Sequence, residues 1–229
     1  MDISDFERRL GVSFNKQELL EEALTHRSYL NEHPRWKYPH NERLEFLGDA
    51  VLELAVSENL FERFPEKPEG DLTNLRAALV RAEMLAQVAH EAGVNDVIRL
   101  SRGEAKDTGR ARDVILANAF EAIIGALYLD QGFRIVKAYL KRTLLPKLEY
   151  ILVSGAFRDS KSRFQEVAQE KLRITPSYAV LSQRGPDHAR IFTVGVYLGE
   201  ELVAKGEGPS KQIAQQRAAE QALKKKRWP

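Results

Sequence analysis

The chain predicts a multidomain fold: an all-α domain over residues 1–152, a linker over 153–158, and a small α+β domain of order α-β-β-β-α over 159–229. Three observations predict it. Up to residue 152 the apolar residues recur at helical spacing, whereas Phe192, Val194, Val196 and Leu198 alternate strictly with Ile191, Thr193, Gly195 and Tyr197. Ser154, Gly155 and the polar stretch FRDSKS read as the connection between these two regimes. The charge also divides there: residues 159–229 hold 13 Lys and Arg against 8 Asp and Glu, a net of +5, which leaves −3 for the preceding part. The basic C-terminal part is therefore the candidate binder of a polyanion.

The composition excludes several classes. With 229 residues, 43% hydrophobic and 30% charged, the chain is globular rather than disordered. The absence of cysteine excludes a disulfide framework and thiolate zinc sites, and fits a reducing cytoplasm. The start, MDISDFERRL, is acidic and interrupted, unlike a signal peptide. The most apolar run, residues 114–129, carries Asn118 and Glu121 and is too short to span a bilayer. A cytoplasmic protein without membrane contact is expected. No P-loop or dinucleotide fingerprint is present.

Taken in order, Asn15 and Glu18 form a capping-box pattern that predicts one helix through KQELLEEALTHRSYL. His26 reads as a histidine packed near its end. Residues 31–40, with Pro34, Trp36, Tyr38 and Pro39, form a loop leading into NERLEFLGDAVLEL. On this helix Leu44, Leu47, Val51, Leu54 and Ala55 make an apolar stripe, with Glu42, Glu45, Asp49 and Glu53 on the other side. Gly48 costs about 1 kcal/mol against Ala within a helix, which makes sense where another backbone approaches. Pro65 and Pro68 end the helix, and Asp71 is the expected N-cap of a single helix LTNLRAALVRAEMLAQVAHEAG. Residues 101–112 are a polar, basic connection, either phosphate-seeking or merely solvated.

A second key helix, residues 113–129, is apolar almost all round and so should lie at the centre of the domain. Asn118 and Glu121 share one face of it, with Gly125 one turn on. A buried carboxylate needs a cation, a metal or a hydrogen-bond partner, and an arginine salt bridge is the plain alternative. Packing the two helices at their glycines clusters Glu45, Asp49, Asn118 and Glu121, a set of oxygen donors suited to a divalent ion. A further helix over residues 133–152 should restart near Pro146. In the C-terminal domain KSRFQEVAQEKL predicts a helix, residues 177–183, 190–198 and 201–206 strands, Gly199 and Glu200 a tight turn, and Pro209 or Ser210 the start of a last helix.

NERLEFLGDAVL, ALTHRSY, EGDLTNLRAALV and ILANAFEAIIGALYLDQG, in this order, resemble the landmark segments of bacterial ribonuclease III. From about Asp159 the chain is similar to a double-stranded-RNA-binding domain, with GPDH after its first strand and SKQIAQQRAA opening its last helix. The resemblance implies a Mg²⁺-dependent endonuclease, with Mn²⁺ as substitute. It would hydrolyse phosphodiester bonds in double-stranded RNA to 5′-phosphate and 3′-hydroxyl ends and process structured precursors such as ribosomal and messenger RNA. It assigns metal binding to Glu45, Asp49, Asn118 and Glu121, catalysis to Asp49 and Glu121, and RNA positioning near the site to Glu42 and Glu69. It assigns RNA binding to Gln165, Glu166, His188, Lys211, Gln212 and Gln215, and implies a homodimer through the catalytic domains. Trp36, Phe46 and Tyr128 are apolar residues compatible with that dimer and equally with a larger monomer core.

Two departures stand out. The family usually has Asp where this chain has Asn118, and lysines at two of the three positions occupied by Lys211, Gln212 and Gln215. The first leaves open a non-cleaving double-stranded-RNA-binding regulator with an impaired metal site, although retention of Glu45, Asp49 and Glu121 favours the nuclease. The second predicts a shallow salt dependence of RNA binding.

Overall fold

The computed structural model describes residues 3–154, 160–186 and 190–228. Two compact units are present, Met1–Phe157 and Arg158–Pro229. The first is helical: α1 (Ile3–Leu10), α2 (Gln17–Ala23), α3 (Arg27–Glu32), α4 (Glu42–Arg63), α5 (Glu69–Val80), α6 (Ala82–Ala92), α7 (Arg110–Gln131), α8 (Phe133–Thr143) and α9 (Lys147–Ser154). α7 buries residues on every side, among them Leu116, Phe120, Ile123 and Leu127, and is the central helix that its composition predicts. α4 and α7 make the most extensive helix–helix contact in this unit.

Several local expectations are corrected. The single helix expected from residue 16 breaks after Ala23, because the chain pairs there with a distant segment. Arg99 N–H donates to Leu24 O (2.8 Å), His26 N–H donates to Arg99 O (3.1 Å), and the Thr25 hydroxyl turns back to Glu21 O (2.7 Å). The capping box of Asn15 and Glu18 does not form. The Asn15 and Lys16 amides donate instead to the Asp130 carboxylate at the end of α7, at 2.8 and 3.0 Å. Asp71 is not an N-cap: α5 opens at Glu69 behind Pro68, and the extended backbone of Arg81 separates α5 from α6. α7 begins at Arg110, three residues early.

Leu54 leaves the expected apolar stripe, with 58% of its surface exposed, while Gly48 and Leu52 are buried. The burial on α4 is rotated because α7 presses on its glycine side, where a periodicity count assigns no weight. Trp36 belongs to the monomer: its indole N–H donates to the Thr25 hydroxyl (3.2 Å), its ring meets Tyr29 and Tyr38 edge-on, and Arg99 lies over its face. α9 runs through Ser154, so Val153 and Ser154 are helical; the other expected linker residues, 155–158, lie outside the described residues.

The second unit has the order α10 (Ser160–Leu172), β1 (Ser177–Arg184), β2 (Ile191–Leu198), β3 (Glu201–Gly208), α11 (Lys211–Lys226). Its three-stranded antiparallel sheet is ordered β1-β2-β3, and the Leu198–Glu201 pair closes a two-residue hairpin at Gly199, whose φ is +61°. Both helices pack on the sheet around Phe164, Val196, Val203, Ala218 and Ala222, and Trp228 stacks on Phe164. A side chain at Gly206 would overlap the Ala218 amide, so the glycine and the alanine-rich face of α11 together permit close helix–sheet contact. Among the described residues no helix is long and apolar enough to cross a membrane.

Candidate functional site

Two glycines set the crossing of α4 and α7. A methyl group at Gly48 would overlap the carbonyl oxygen of Glu121 and lie 2.9 Å from the Gly125 amide nitrogen. One at Gly125 would overlap the carbonyl oxygen of Leu44 and approach the Gly48 amide nitrogen to 3.1 Å. The backbones therefore touch directly. Glu45 and Asp49 flank Gly48 on α4, and Glu121 lies one turn before Gly125 on α7, so the contact brings their carboxylates under one another's influence.

The electrostatics of Glu121 report this grouping. Burial first, then the carboxylates of Asp49, Glu45 and Glu53, push its carboxyl up to about 7. All the charges acting on it are negative, and the alternative of an arginine partner does not describe it. Glu45 is also raised, by burial, then by Glu42 and, less, by Asp49; a side-chain hydrogen bond from Asn118 acts in the opposite sense. Since a carboxylate only accepts, the Asn118 NH₂ is the donor toward Glu45.

The sequence-derived residues are thus partly assembled. Glu45, Asp49, Asn118 and Glu121 interact across the helix crossing. Glu42 adds to the field at Glu45 but is itself paired with Arg27 at 2.7 Å, with His40 at 3.8 Å. Glu69 accepts from the Thr73 hydroxyl at 3.0 Å on its own helix. Glu53, one turn past Asp49, is the acid that motif reasoning passed over; its i+4 spacing is the signal that finds it. Among the described residues no three Asp, Glu, His or Cys side chains converge tightly enough to hold a metal as they stand. The donor chemistry nevertheless fits a hard divalent cation: oxygen ligands only, and a carboxyl raised first by burial and then by neighbouring acids, both of which a cation would offset.

In the second unit Gln165 and Glu166 are exposed on α10. Lys211 and Gln212 are exposed at the start of α11, where the Ser210 hydroxyl caps the Ile213 amide at 3.2 Å. Gln215 is half-buried, its carbonyl oxygen held by Lys161. His188 lies outside the described residues. The terminal lysine run is anchored, with Lys225 Nζ donating to Val203 O and Lys226 Nζ to Glu201.

Residues 16–148, more than half of the chain, match the family model described as Ribonuclease-III-like, and residues 160–226 match the double-stranded RNA binding motif. The chain belongs to the ribonuclease III family. It is 46% identical over 220 residues to Ribonuclease 3 of Streptococcus gordonii, covering 95% of this chain and 93% of the relative. It is likewise 46% identical over 224 residues to Ribonuclease 3 of Enterococcus faecalis, covering 96% of each. Among solved structures, the nuclease domain of ribonuclease III from Campylobacter jejuni, described with a region involved in dimer formation, covers 62% of this chain and 94% of its own. It is 43% identical, with a TM-score of 0.56. The chain is thus a double-stranded-RNA-specific endoribonuclease of the ribonuclease III family, with a helical nuclease domain and a double-stranded-RNA-binding domain.

Proposed function

We propose that the α4–α7 crossing is the cleavage centre and that it works with Mg²⁺, for which Mn²⁺ can substitute. The observation that carries this reading is the carboxyl of Glu121, pushed to about 7 by burial and by three neighbouring acids. Such a group is unfavourable to ionise alone and gains from a cation. Glu45, Asp49, Glu121 and the carbonyl oxygen of Asn118 would hold the ion. When bound, it supplies charge compensation at the phosphodiester and an activated water.

The protein's own contribution is to fix these groups before substrate arrives. The glycine contact sets the spacing of the helices, and the Asn118–Glu45 hydrogen bond orients one carboxylate. Asp49 and Glu121 take the catalytic roles. Glu42, held by Arg27, and Glu69, held by Thr73, place RNA beside the site. The products are 5′-phosphate and 3′-hydroxyl ends, and the substrates structured precursors such as ribosomal and messenger RNA in the cytoplasm. Gln165, Glu166, His188, Lys211, Gln212 and Gln215 contact the duplex, which such domains recognise by shape over about 16 base pairs.

The functional unit is a homodimer through the nuclease domains. Phe46 supports this: its ring is 82% exposed, the most exposed apolar side chain of α4, where Leu54 and Phe61 also face outward. Beside it a concavity is lined by Leu19, His40, Leu44, Leu47 and Leu129, suited to receive the same ring from a second copy. The description of the Campylobacter domain agrees.

An end-labelled RNA duplex incubated with the protein in Mg²⁺ and in EDTA, with Glu121→Ala alongside, tests the reading. Short duplex products that require Mg²⁺ and vanish with the substitution are expected. A duplex that is bound but stays intact in both Mg²⁺ and Mn²⁺ would overturn it in favour of a non-cleaving regulator.

A further inference from the structure

We infer that Lys161 is a phosphate-contacting residue of the RNA-binding surface, delivered to it by Gln215; this rests on the reading that the start of α11 faces RNA. Lys211 and Gln215 are four residues apart on α11 and lie on the same face. The carbonyl oxygen of Gln215 is already engaged, accepting from Lys161 Nζ at 2.9 Å. An ammonium can only donate, so this bond fixes the amide: its oxygen faces Lys161 and its NH₂ points away from that lysine. The next residue, Gln216, accepts from the Lys161 backbone N–H at 3.0 Å. Both main chain and side chain of Lys161 are therefore anchored on α11, although the residue belongs to the first turn of α10.

The lysine charge is not neutralised by these contacts. Its partners among the described residues are an amide oxygen and the face of Tyr178, whose ring centre is 5.2 Å from Nζ. An ammonium has three donors, and Gln215 uses one. Along α10, Lys161 also precedes the exposed Gln165 by one turn. One ammonium thus stands where the α10 row of Lys161 and Gln165 meets the α11 row of Lys211 and Gln215. What residue 215 offers a polyanion is an amide with a lysine charge held beside it. The salt dependence of RNA binding is accordingly steeper than the two glutamines of this helix imply.

The test uses the full chain and an RNA duplex of about 16 base pairs, with cleavage blocked by EDTA and affinity measured across a series of KCl concentrations. Lys161→Ala should weaken binding and reduce the slope of log affinity against log salt by about 1. Gln215→Lys in that background should restore the slope by placing a cation at the same point. If Lys161→Ala leaves the slope unchanged while Lys211→Ala lowers it, the inference fails and the RNA-facing reading of α11 stands. Weaker binding at unchanged slope that Gln215→Lys does not rescue reports lost packing and also overturns the inference. If neither Lys161→Ala nor Lys211→Ala alters binding, the RNA-facing reading itself fails and takes the inference with it.

Discussion

Gly48 and Glu121 touch through their backbones: the carbonyl oxygen of Glu121 occupies the space where a Cβ on residue 48 would stand. A carbonyl in the middle of a helix cannot rotate away as a side chain can. Gly48→Ala must therefore push α4 and α7 apart, against the usual gain in helix propensity. Overpacking of this kind costs about 1–3 kcal/mol, and the rigidity of the obstacle points to the upper end. Urea unfolding should show the loss. Because the same displacement separates Glu45 and Asp49 from Glu121, cleavage should fall more steeply than stability alone accounts for.

The raised pKa of Glu121 makes the metal-free protein pH-sensitive. Its folded value of about 7 lies above the ordinary 4.5, so between these values the folded state binds more protons than the unfolded one. Stability therefore falls as pH rises from about 4.5 to 7, and the full contribution is present only below that window. Part of the shift is screened by water, which limits the effect to about 2 kcal/mol. In EDTA, Glu121→Gln should flatten the pH dependence of the melting temperature and raise it at pH 8. A variant that keeps the wild-type slope would show that Glu121 is not the titrating group.

Asn118 holds Glu45 by a hydrogen bond and brings no charge. Asn118→Asp replaces a donor with a repelling carboxylate. Metal-free stability should drop by about 1–2 kcal/mol, while Mg²⁺ affinity, read by calorimetric titration, should rise. The two readouts move in opposite senses, which a simple packing defect would not produce.

Phe46 places an aromatic ring in solvent and adds little to the monomer fold. Phe46→Ala should leave monomer stability within about 0.5 kcal/mol yet shift the sedimentation profile from dimer to monomer at micromolar concentration. An unchanged dimer would remove this ring from the proposed interface.

The residues made much of this visible in advance. Period-two alternation at Phe192–Leu198, the Gly199 turn and the Ser210 cap are local rules, and the C-terminal unit follows them closely. The crossing was also legible, because a glycine inside each of two otherwise strong helices has few explanations besides close approach. Where local rules failed, a distant residue had intervened. Arg99 breaks the helix after Ala23, Asp130 takes the Asn15 amide that Glu18 was expected to satisfy, and α7 rotates the buried face of α4 so that Leu54 is exposed.

By itself, then, the sequence determined the two units, their element types and the close approach of α4 and α7, since periodicity, caps and glycine placement are written in neighbouring residues. Only the tertiary structure decided how the acids of α4 and α7 feel one another and that Gln215 holds Lys161. These depend on residues far apart in the chain being held a few ångströms apart, and Coulomb interactions and hydrogen bonds vary with that distance, which no local pattern records.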